Sequence, residues 1–159
     1  MSKRVITFGQ WNGKPIKWLV LKEDEFKTFV VSKYPLFSCR FNENRNDGNR
    51  WKTSLLRNYL NSTFWETVFS AEEKKKVVNC MLEHPDHTKD NVFVLSEEEA
   101  ENLLTQKERT SNNNCFLRSP YGNSNNQVCG VYPDGRITWF SIDSSYYISP
   151  ALYLKNRII

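Results

Sequence analysis

Three short apolar segments near the N-terminus constrain the fold most strongly. Residues 5–8, 16–21 and 28–32 are rich in β-branched and aromatic side chains, a composition that is typical of strands. A turn-prone stretch, residues 9–15, joins the first two segments, and a charged stretch, residues 23–27, joins the second to the third. Because such short connections join antiparallel neighbours, these segments predict a three-stranded meander.

The apolar pattern then changes to helical spacing. Residues 54–60 place their apolar side chains on one face of a helix, which we predict to end at Asn61 and Ser62. Residues 64–69 indicate a second short helix. The sequence Ser-Ala-Glu-Glu that begins at Ser70 matches a capping box and predicts the start of a third helix.

Strands are expected on both sides of a further helix. Residues 77–82 fit either a helix or a strand, and their short length and β-branched start favour a strand. Residues 91–95 predict a strand without such ambiguity. Ser96 and the three glutamates after it predict a helix through Gln106. The polar residues 37–50 predict a loop. Beyond Thr110 we predict four strands, at 115–117, 128–132, 136–140 and 151–154. Helices and short strands in this arrangement indicate the α+β class.

Length and charge exclude several classes of protein. A chain of 159 residues fits one domain, residues 1–159. The 22 basic and 18 acidic residues are scattered, so the net charge of +4 forms no basic face of the kind that binds nucleic acid. No apolar run reaches membrane-spanning length, and residues 1–14 lack the apolar part of a signal peptide. We expect no nucleic acid, no membrane insertion, and a cytoplasmic or virion-associated location.

The reactive residue types form no recognisable catalytic or metal-binding motif. The cysteines at positions 39, 80, 115 and 129 include no CxxC pair, and we expect them to be reduced, with a disulfide as the alternative. Cys115 and Cys129 are expected to be buried as small apolar residues. Residues 84–87, His-Pro-Asp-His, carry two imidazoles and a carboxylate, but no third strong ligand stands nearby. We interpret them as a surface loop. The sequence therefore predicts no catalytic residue, no metal and no cofactor.

Charged residues inside apolar segments need partners, because a lone buried charge is costly. Arg118 and Asp90 both lie in such segments, and we hypothesise that they form an ion pair. Arg57 is expected to pack its aliphatic stem over Trp51. Together with Trp18, these residues are the predicted structural anchors.

The stretch from Ser111 to Tyr147 is dense in asparagine, serine and aromatic residues. Antibody paratopes use the same mixture, because rigid rings and adaptable amides together recognise many surfaces. Solvated, turn-prone loops have a similar composition, so a plain surface loop is the alternative. The candidate ligand-binding residues are Tyr121, Asn123, Asn125, Asn126, Trp139, Ser144, Tyr146 and Tyr147.

Five blocks carry a resemblance to a known family. They are Phe8-Gly9 with residues 16–21, Trp51 with residues 54–61 followed by Phe64 and Phe69, residues 88–96 followed by Glu99-Ala100, residues 116–120, and residues 148–154. In this order they resemble a bacterial and phage domain family known by a domain-of-unknown-function label. One position departs from it, since Ser149 stands where the family usually carries an arginine.

The family is similar to C-type-lectin-like domains, which include the variable proteins of retroelements and the formylglycine-generating enzymes. The resemblance implies a single C-type-lectin-like domain of the α+β class. Its small mixed or antiparallel sheet would carry flanking helices and long loops, with the ligand face on the C-terminal loops. Formylglycine-generating enzymes use a cysteine pair, but Cys115 and Cys129 stand fourteen positions apart without the polar companions of an oxidase site. The triplets of calcium-dependent lectins are absent from the sequence.

These observations lead to three functional hypotheses. The first is a non-catalytic binding module that recognises a protein or glycan surface. The second is a structural component of a virion or cell surface, which would form an oligomer or larger assembly. The third is an oxidase related to the formylglycine-generating enzymes, for which the sequence provides the least support.

Overall fold

The structure is a computed structural model that describes residues 2–156. It belongs to the α+β class and is rich in sheet. Eleven strands form a four-stranded sheet, a five-stranded curled sheet and a two-stranded ribbon. The strands are β1 (Val5–Trp11), β2 (Lys14–Glu23), β3 (Lys27–Ser32), β4 (Phe37–Arg40), β5 (Cys80–Leu82), β6 (Thr88–Asp90), β7 (Cys115–Pro120), β8 (Gln127–Val131), β9 (Ile137–Ser141), β10 (Ser145–Ile148) and β11 (Ala151–Lys155).

The helices are short and lie mainly between β4 and β7. They are α1 (Leu55–Tyr59), α2 (Trp65–Val68), α3 (Ala71–Lys76) and α4 (Glu97–Leu103). A 3₁₀ turn occupies Arg45–Asp47, and a π-helical turn over Leu60–Phe64 joins α1 to α2. No helix among residues 2–156 has the length and apolar character needed to span a membrane.

The four-stranded sheet confirms the predicted meander and extends it. Its order is β1-β2-β3-β11, and every neighbouring pair is antiparallel. The C-terminal strand therefore returns to the N-terminal strands, with Leu152 opposite Val30. Because β3 lies between β2 and β11, its residues from Thr28 to Ser32 are all buried.

The five-stranded sheet has the order β4-β10-β7-β8-β9. Gly130 in β8 leaves room for the ring of Phe140, because a Cβ atom at position 130 would lie only 2.1 Å from Cδ2 of that ring. Rings from three strands meet over this glycine: Phe140 lies 4.4 Å from Tyr146 and 6.4 Å from Phe116, measured between centroids. The polar C-terminal stretch therefore alternates between strands of this sheet and the loops that join them.

Two predicted boundaries in the middle of the chain are wrong. The helix does not end at Asn61, because the π-helical turn carries it on into α2. Residues 92–95 are buried, but the predicted strand over 91–95 does not form. Asn61 accounts for this second result: its side chain accepts the N–H groups of Asn91 and Val92 and donates to the carbonyl of Val92. These bonds replace the ladder that a strand would need, and only Phe93 forms a bridge, to Ala151.

Other boundaries shift for local reasons. The helix capped by Ser96 ends at Leu103 and not at Gln106, because the guanidinium of Arg109 takes the carbonyls of Ala100 and Leu104. The predicted strand over residues 77–82 is reduced to β5, with an isolated bridge at Val77. The predicted loop over residues 37–50 begins with β4, and β10 was not predicted.

Candidate functional site

Two exposed rings stand beside each other at the β7–β8–β9 side of the curled sheet. Tyr121 follows the end of β7, and Trp139 is the central residue of β9. Their ring centroids lie 6.1 Å apart with the planes tilted by 37°. Tyr121 is 41% exposed and Trp139 43% exposed, which places both among the exposed large apolar residues.

The loop between β7 and β8 is held in place by a buried asparagine. The side-chain amide of Asn49, which is buried, donates 2.8 Å hydrogen bonds to the carbonyls of Ser124 and Gln127. Within the loop, Ser124 Oγ accepts the N–H of Asn126. Asn123 and Asn125 remain exposed, so their amides face solvent from an ordered backbone. The polar character of residues 37–50 did not single out Asn49 as the support of this loop.

The structure divides the predicted ligand-binding residues into separate groups. Tyr121, Trp139 and the asparagines of the loop lie together. Tyr146 and Tyr147 are adjacent in β10 and point to opposite faces of the sheet, with Cys39 and Ser38 as their respective partners across the strand pair. Tyr146 packs edge-on against Phe116 and belongs to the sheet's aromatic cluster. Ser144 and Tyr147 are exposed, but on or next to β10, which is not a neighbour of β9 in the sheet.

The predicted ion pair between Arg118 and Asp90 is wrong, because each residue has a different partner. Arg118 Nη1 lies 2.6 Å from Oε1 of Glu99 and 2.8 Å from the carbonyl of Val94, and Nε donates to the carbonyl of His84. The same Glu99 oxygen accepts the N–H of Ser96, so the capping glutamate of α4 also binds the buried arginine. The position of Glu99 in the capping box of α4 was the signal in the sequence that could have identified this glutamate as the partner of Arg118.

Asp90 instead forms a separate buried cluster. One carboxylate oxygen accepts from Arg57 Nε at 2.6 Å, and the other accepts from Trp51 Nε1 at 2.9 Å and from the hydroxyl of Thr88. Trp18, another predicted anchor, is fully buried and donates from Nε1 to the carbonyl of Phe8. These contacts link the ribbon and α1 to the core.

A groove that the sequence did not predict opens beside Arg118. It has a volume of about 520 Å³, and Lys22, Lys27 and Tyr153 contribute to its wall. The ammonium of Lys27 lies 4.6 Å from the ring centroid of Tyr153. Burial, with Glu99 as a secondary cause, raises the pKa of Tyr153 to about 12, so its hydroxyl is a neutral donor at physiological pH. Glutamates 83, 98 and 99 also line the groove, which leaves it with mixed charge.

The two cysteines of the oxidase hypothesis are buried within the curled sheet. Burial raises the pKa of the Cys115 thiol to about 11. Burial and the hydrogen bond to Glu97 raise the pKa of Cys129 to about 12, its Sγ lying 3.0 Å from Oε2 of that glutamate. Both thiols are therefore protonated at neutral pH, whereas nucleophilic and metal-binding cysteines react as thiolates.

The His-Pro-Asp-His segment, residues 84–87, makes structural contacts with neighbouring segments of the chain. Asp86 accepts the N–H of Lys52 at 3.0 Å and lies 3.6 Å from the guanidinium of Arg50. The carbonyl of His84 accepts from Arg118, as described above. Within residues 2–156 no group of three or more histidine, cysteine or acidic side chains is placed to hold a metal ion.

Comparison with known proteins gives one result. No curated protein and no solved structure matches the chain. A family model described as a domain of unknown function (DUF6273) matches residues 17–156, which is most of the sequence. The matched region includes the whole curled sheet and the Tyr121–Trp139 pair, and it begins within β2, so it does not cover β1. The chain therefore belongs to the DUF6273 family.

Proposed function

We propose that this protein is a non-catalytic binding module that recognises a protein or glycan surface through Tyr121, Trp139 and the loop of residues 122–126. The single observation that carries the proposal is the exposed ring pair, with centroids 6.1 Å apart. Large rings are normally buried because they remove much apolar area from water, and exposed aromatic groups with a polar rim mark interaction sites.

The surroundings of the ring pair support recognition. The loop backbone is fixed by the two bonds from Asn49, so little conformational entropy is lost when a ligand is bound. The exposed amides of Asn123 and Asn125 provide donors and acceptors beside the rings. Such a surface suits an apolar side chain or the C–H face of a sugar ring, with the amides bonding to neighbouring carbonyls or hydroxyls.

The chemistry of the thiols supports a non-catalytic role. An oxidase of the formylglycine-generating type would depend on thiolates, and the pKa values of about 11 for Cys115 and about 12 for Cys129 oppose their formation. The carboxylate of Glu97 beside Cys129 disfavours the thiolate further, because like charges repel.

We also propose that the scaffold is C-type-lectin-like. Two features support this: the last strand, β11, pairs with the N-terminal meander, and a polar, loop-rich segment precedes it in the chain. In that fold the C-terminal loops form the ligand face, which agrees with the location of Tyr121 and residues 122–126 in the loop between β7 and β8, beside Trp139 of β9.

The proposal is tested by probing the full chain against two immobilised libraries, a glycan microarray and a library of displayed peptides. We expect specific binding to members of one library, and at least a ten-fold loss of affinity for Tyr121→Ala and for Trp139→Ala. Tyr34→Ala is the matched control, because Tyr34 is 57% exposed and lies outside this surface. If Tyr121→Ala and Trp139→Ala bind as well as the wild type, the site lies elsewhere.

A further inference from the structure

The outer edge of β9 carries a row of backbone groups without a partner. In the hairpin of β8 and β9, Tyr132 N–H donates to the carbonyl of Arg136, and Ile142 N–H donates to that of Asn126. Hydrogen-bonded and non-bonded pairs alternate along an antiparallel ladder. Residues 136, 138, 140 and 142 therefore bond to β8, whereas Ile137, Trp139 and Ser141 point their N–H and C=O groups away from it. Among residues 2–156, no hydrogen bond to these outward groups is found.

The outer edges of β11, β1 and β4 are protected. The edge of β11 is covered by the bridge of Ala151 to Phe93, the bridge of Leu154 to Val77, and the N–H of Val78, which donates to the carbonyl of Tyr153. The edge of β1 is interrupted by a bulge, where Glu73 takes the N–H of Gly9. Strand β4 carries the charge of Arg40 and is followed by α1. Strand β9 has neither a charge nor a proline in its five residues, although natural edge strands normally carry such protection.

We propose that β9 pairs with β9 of a second copy of this chain, antiparallel and centred on Trp139. In that register Ile137 faces Ser141 of the other copy and Trp139 faces its own equivalent. The three outward-facing residues then form three pairs, and each pair exchanges two hydrogen bonds. The edge is self-complementary, as a twofold interface requires.

Two further observations favour a second copy over an unrelated strand. Directly opposed residues place their side chains on the same face of a sheet, so the two Trp139 rings stand side by side and cover area that is now exposed. In the antiparallel pair, the N-terminal end of β9, next to Arg136, lies near the C-terminal end of β9 of the other copy, close to Asp143. Arg136 is already paired with Asp134 at 2.7 Å, so each end of the interface brings an arginine together with acidic side chains and carries no run of positive charge.

The pairing would join two curled sheets into one continuous sheet with both Tyr121–Trp139 pairs on one face. It does not rest on the proposed ligand, because it follows from the backbone of β9. It gives a physical basis to the hypothesis of an assembly component.

Sedimentation velocity and light scattering of the full chain over a wide concentration range test the proposal. We expect a monomer of 18.8 kDa that converts to a species of twice that mass as the concentration rises. Ser141→Pro removes an N–H that would donate across the interface, so it should abolish the larger species. The monomer should tolerate the change, because proline is accepted in an edge strand where its nitrogen faces solvent. Ser141→Ala keeps the N–H and should dimerise like the wild type. Both variants leave Tyr121 and Trp139 in place, so the two proposals can be tested separately by measuring ligand binding with the monomeric Ser141→Pro variant.

Residue-resolved amide exchange keeps the test decisive even if Ser141→Pro does not fold. On dilution of the wild type, the amides of Ile137, Trp139 and Ser141 should lose protection at least ten-fold, whereas those of Thr138 and Phe140 should not change. The proposal is overturned by a monomer at every concentration. It is also overturned by a dimer that Ser141→Pro leaves intact, or by a dimer in which the outward amides exchange as fast as in the monomer.

Discussion

Arg57 Nε lies 2.6 Å from Oδ1 of Asp90, although 33 positions separate the two residues. The aspartate is fully buried, and its second oxygen is shared by Trp51 and Thr88. A buried carboxylate with several donors stabilises the fold only while its partners remain, because an uncompensated polar group in the interior is expensive.

Replacing Asp90 by alanine leaves Arg57, Trp51 and Thr88 without their common acceptor. We expect Asp90→Ala to reduce the free energy of unfolding by about 3–5 kcal/mol, as measured by urea denaturation. Asp134→Ala is the control, since Asp134 forms an ion pair of similar length, 2.7 Å, with Arg136 at the surface. There the loss should stay below about 1 kcal/mol. Equal losses in the two variants would show that the buried cluster stabilises the fold no more than the surface ion pair does.

Arg118 serves three acceptors with a planar guanidinium, and lysine cannot reproduce that geometry. We expect Arg118→Lys to lower the free energy of unfolding by about 2–3 kcal/mol, because at least one charge-assisted bond is lost. Arg136→Lys, at an exposed pair, should change it little. A stable Arg118→Lys protein with wild-type unfolding would mean that the carbonyls of His84 and Val94 do not need this partner.

Gly130→Ala should disrupt the curl of the five-stranded sheet. The added Cβ would stand 2.1 Å from Cδ2 of Phe140 and 2.7 Å from the carbonyl oxygen of Cys115, so ring and backbone must move. We expect a loss of at least about 1–3 kcal/mol, the usual effect of overpacking, and a changed near-ultraviolet circular dichroism signal from the aromatic cluster. Gly13→Ala, where only the positive φ of 76° opposes the substitution, should cost about 1–2 kcal/mol and leave that signal unchanged.

We expect the raised pKa of Cys129 to make the folded protein less stable as the pH rises above 9. Burial and Glu97 raise the thiol pKa from its ordinary value of 9.0 to about 12 in the folded state. Above pH 9 the unfolded chain therefore releases a proton that the folded protein retains, and stability falls as the pH rises from 9 towards 12. The fall due to this thiol is at most about 1.4 kcal/mol per pH unit.

Cys129→Ser isolates that contribution, since its hydroxyl does not titrate in this range but can still donate to Glu97. Urea denaturation at pH 8 and at pH 10 should show a smaller loss of stability for Cys129→Ser than for the wild type. The pKa values of the other three thiols are also raised, but these thiols contribute equally to the pH dependence of stability in both proteins. Parallel pH profiles would contradict the raised pKa of Cys129.

Features that depend on neighbouring residues were predictable from the sequence. The capping boxes at Ser70 and Ser96 are both present, because their donors and acceptors lie three residues apart. The N-terminal meander also follows from local alternation and short connections. The π-helical turn was not predictable, because the bonds of Asn61 that accompany it reach residues 91 and 92.

For the candidate site, the sequence by itself determined the residue types: aromatic rings and amides concentrated between Ser111 and Tyr147. Only the tertiary structure decided that Tyr121 and Trp139 stand together, whereas Tyr146 turns into the aromatic cluster and Tyr147 lies on another strand. It also decided that Arg118 pairs with Glu99 and that β9 lies at the edge of its sheet. The physical reason is that strand order and long-range pairing arise from packing between segments distant in the chain, which local composition and periodicity do not encode.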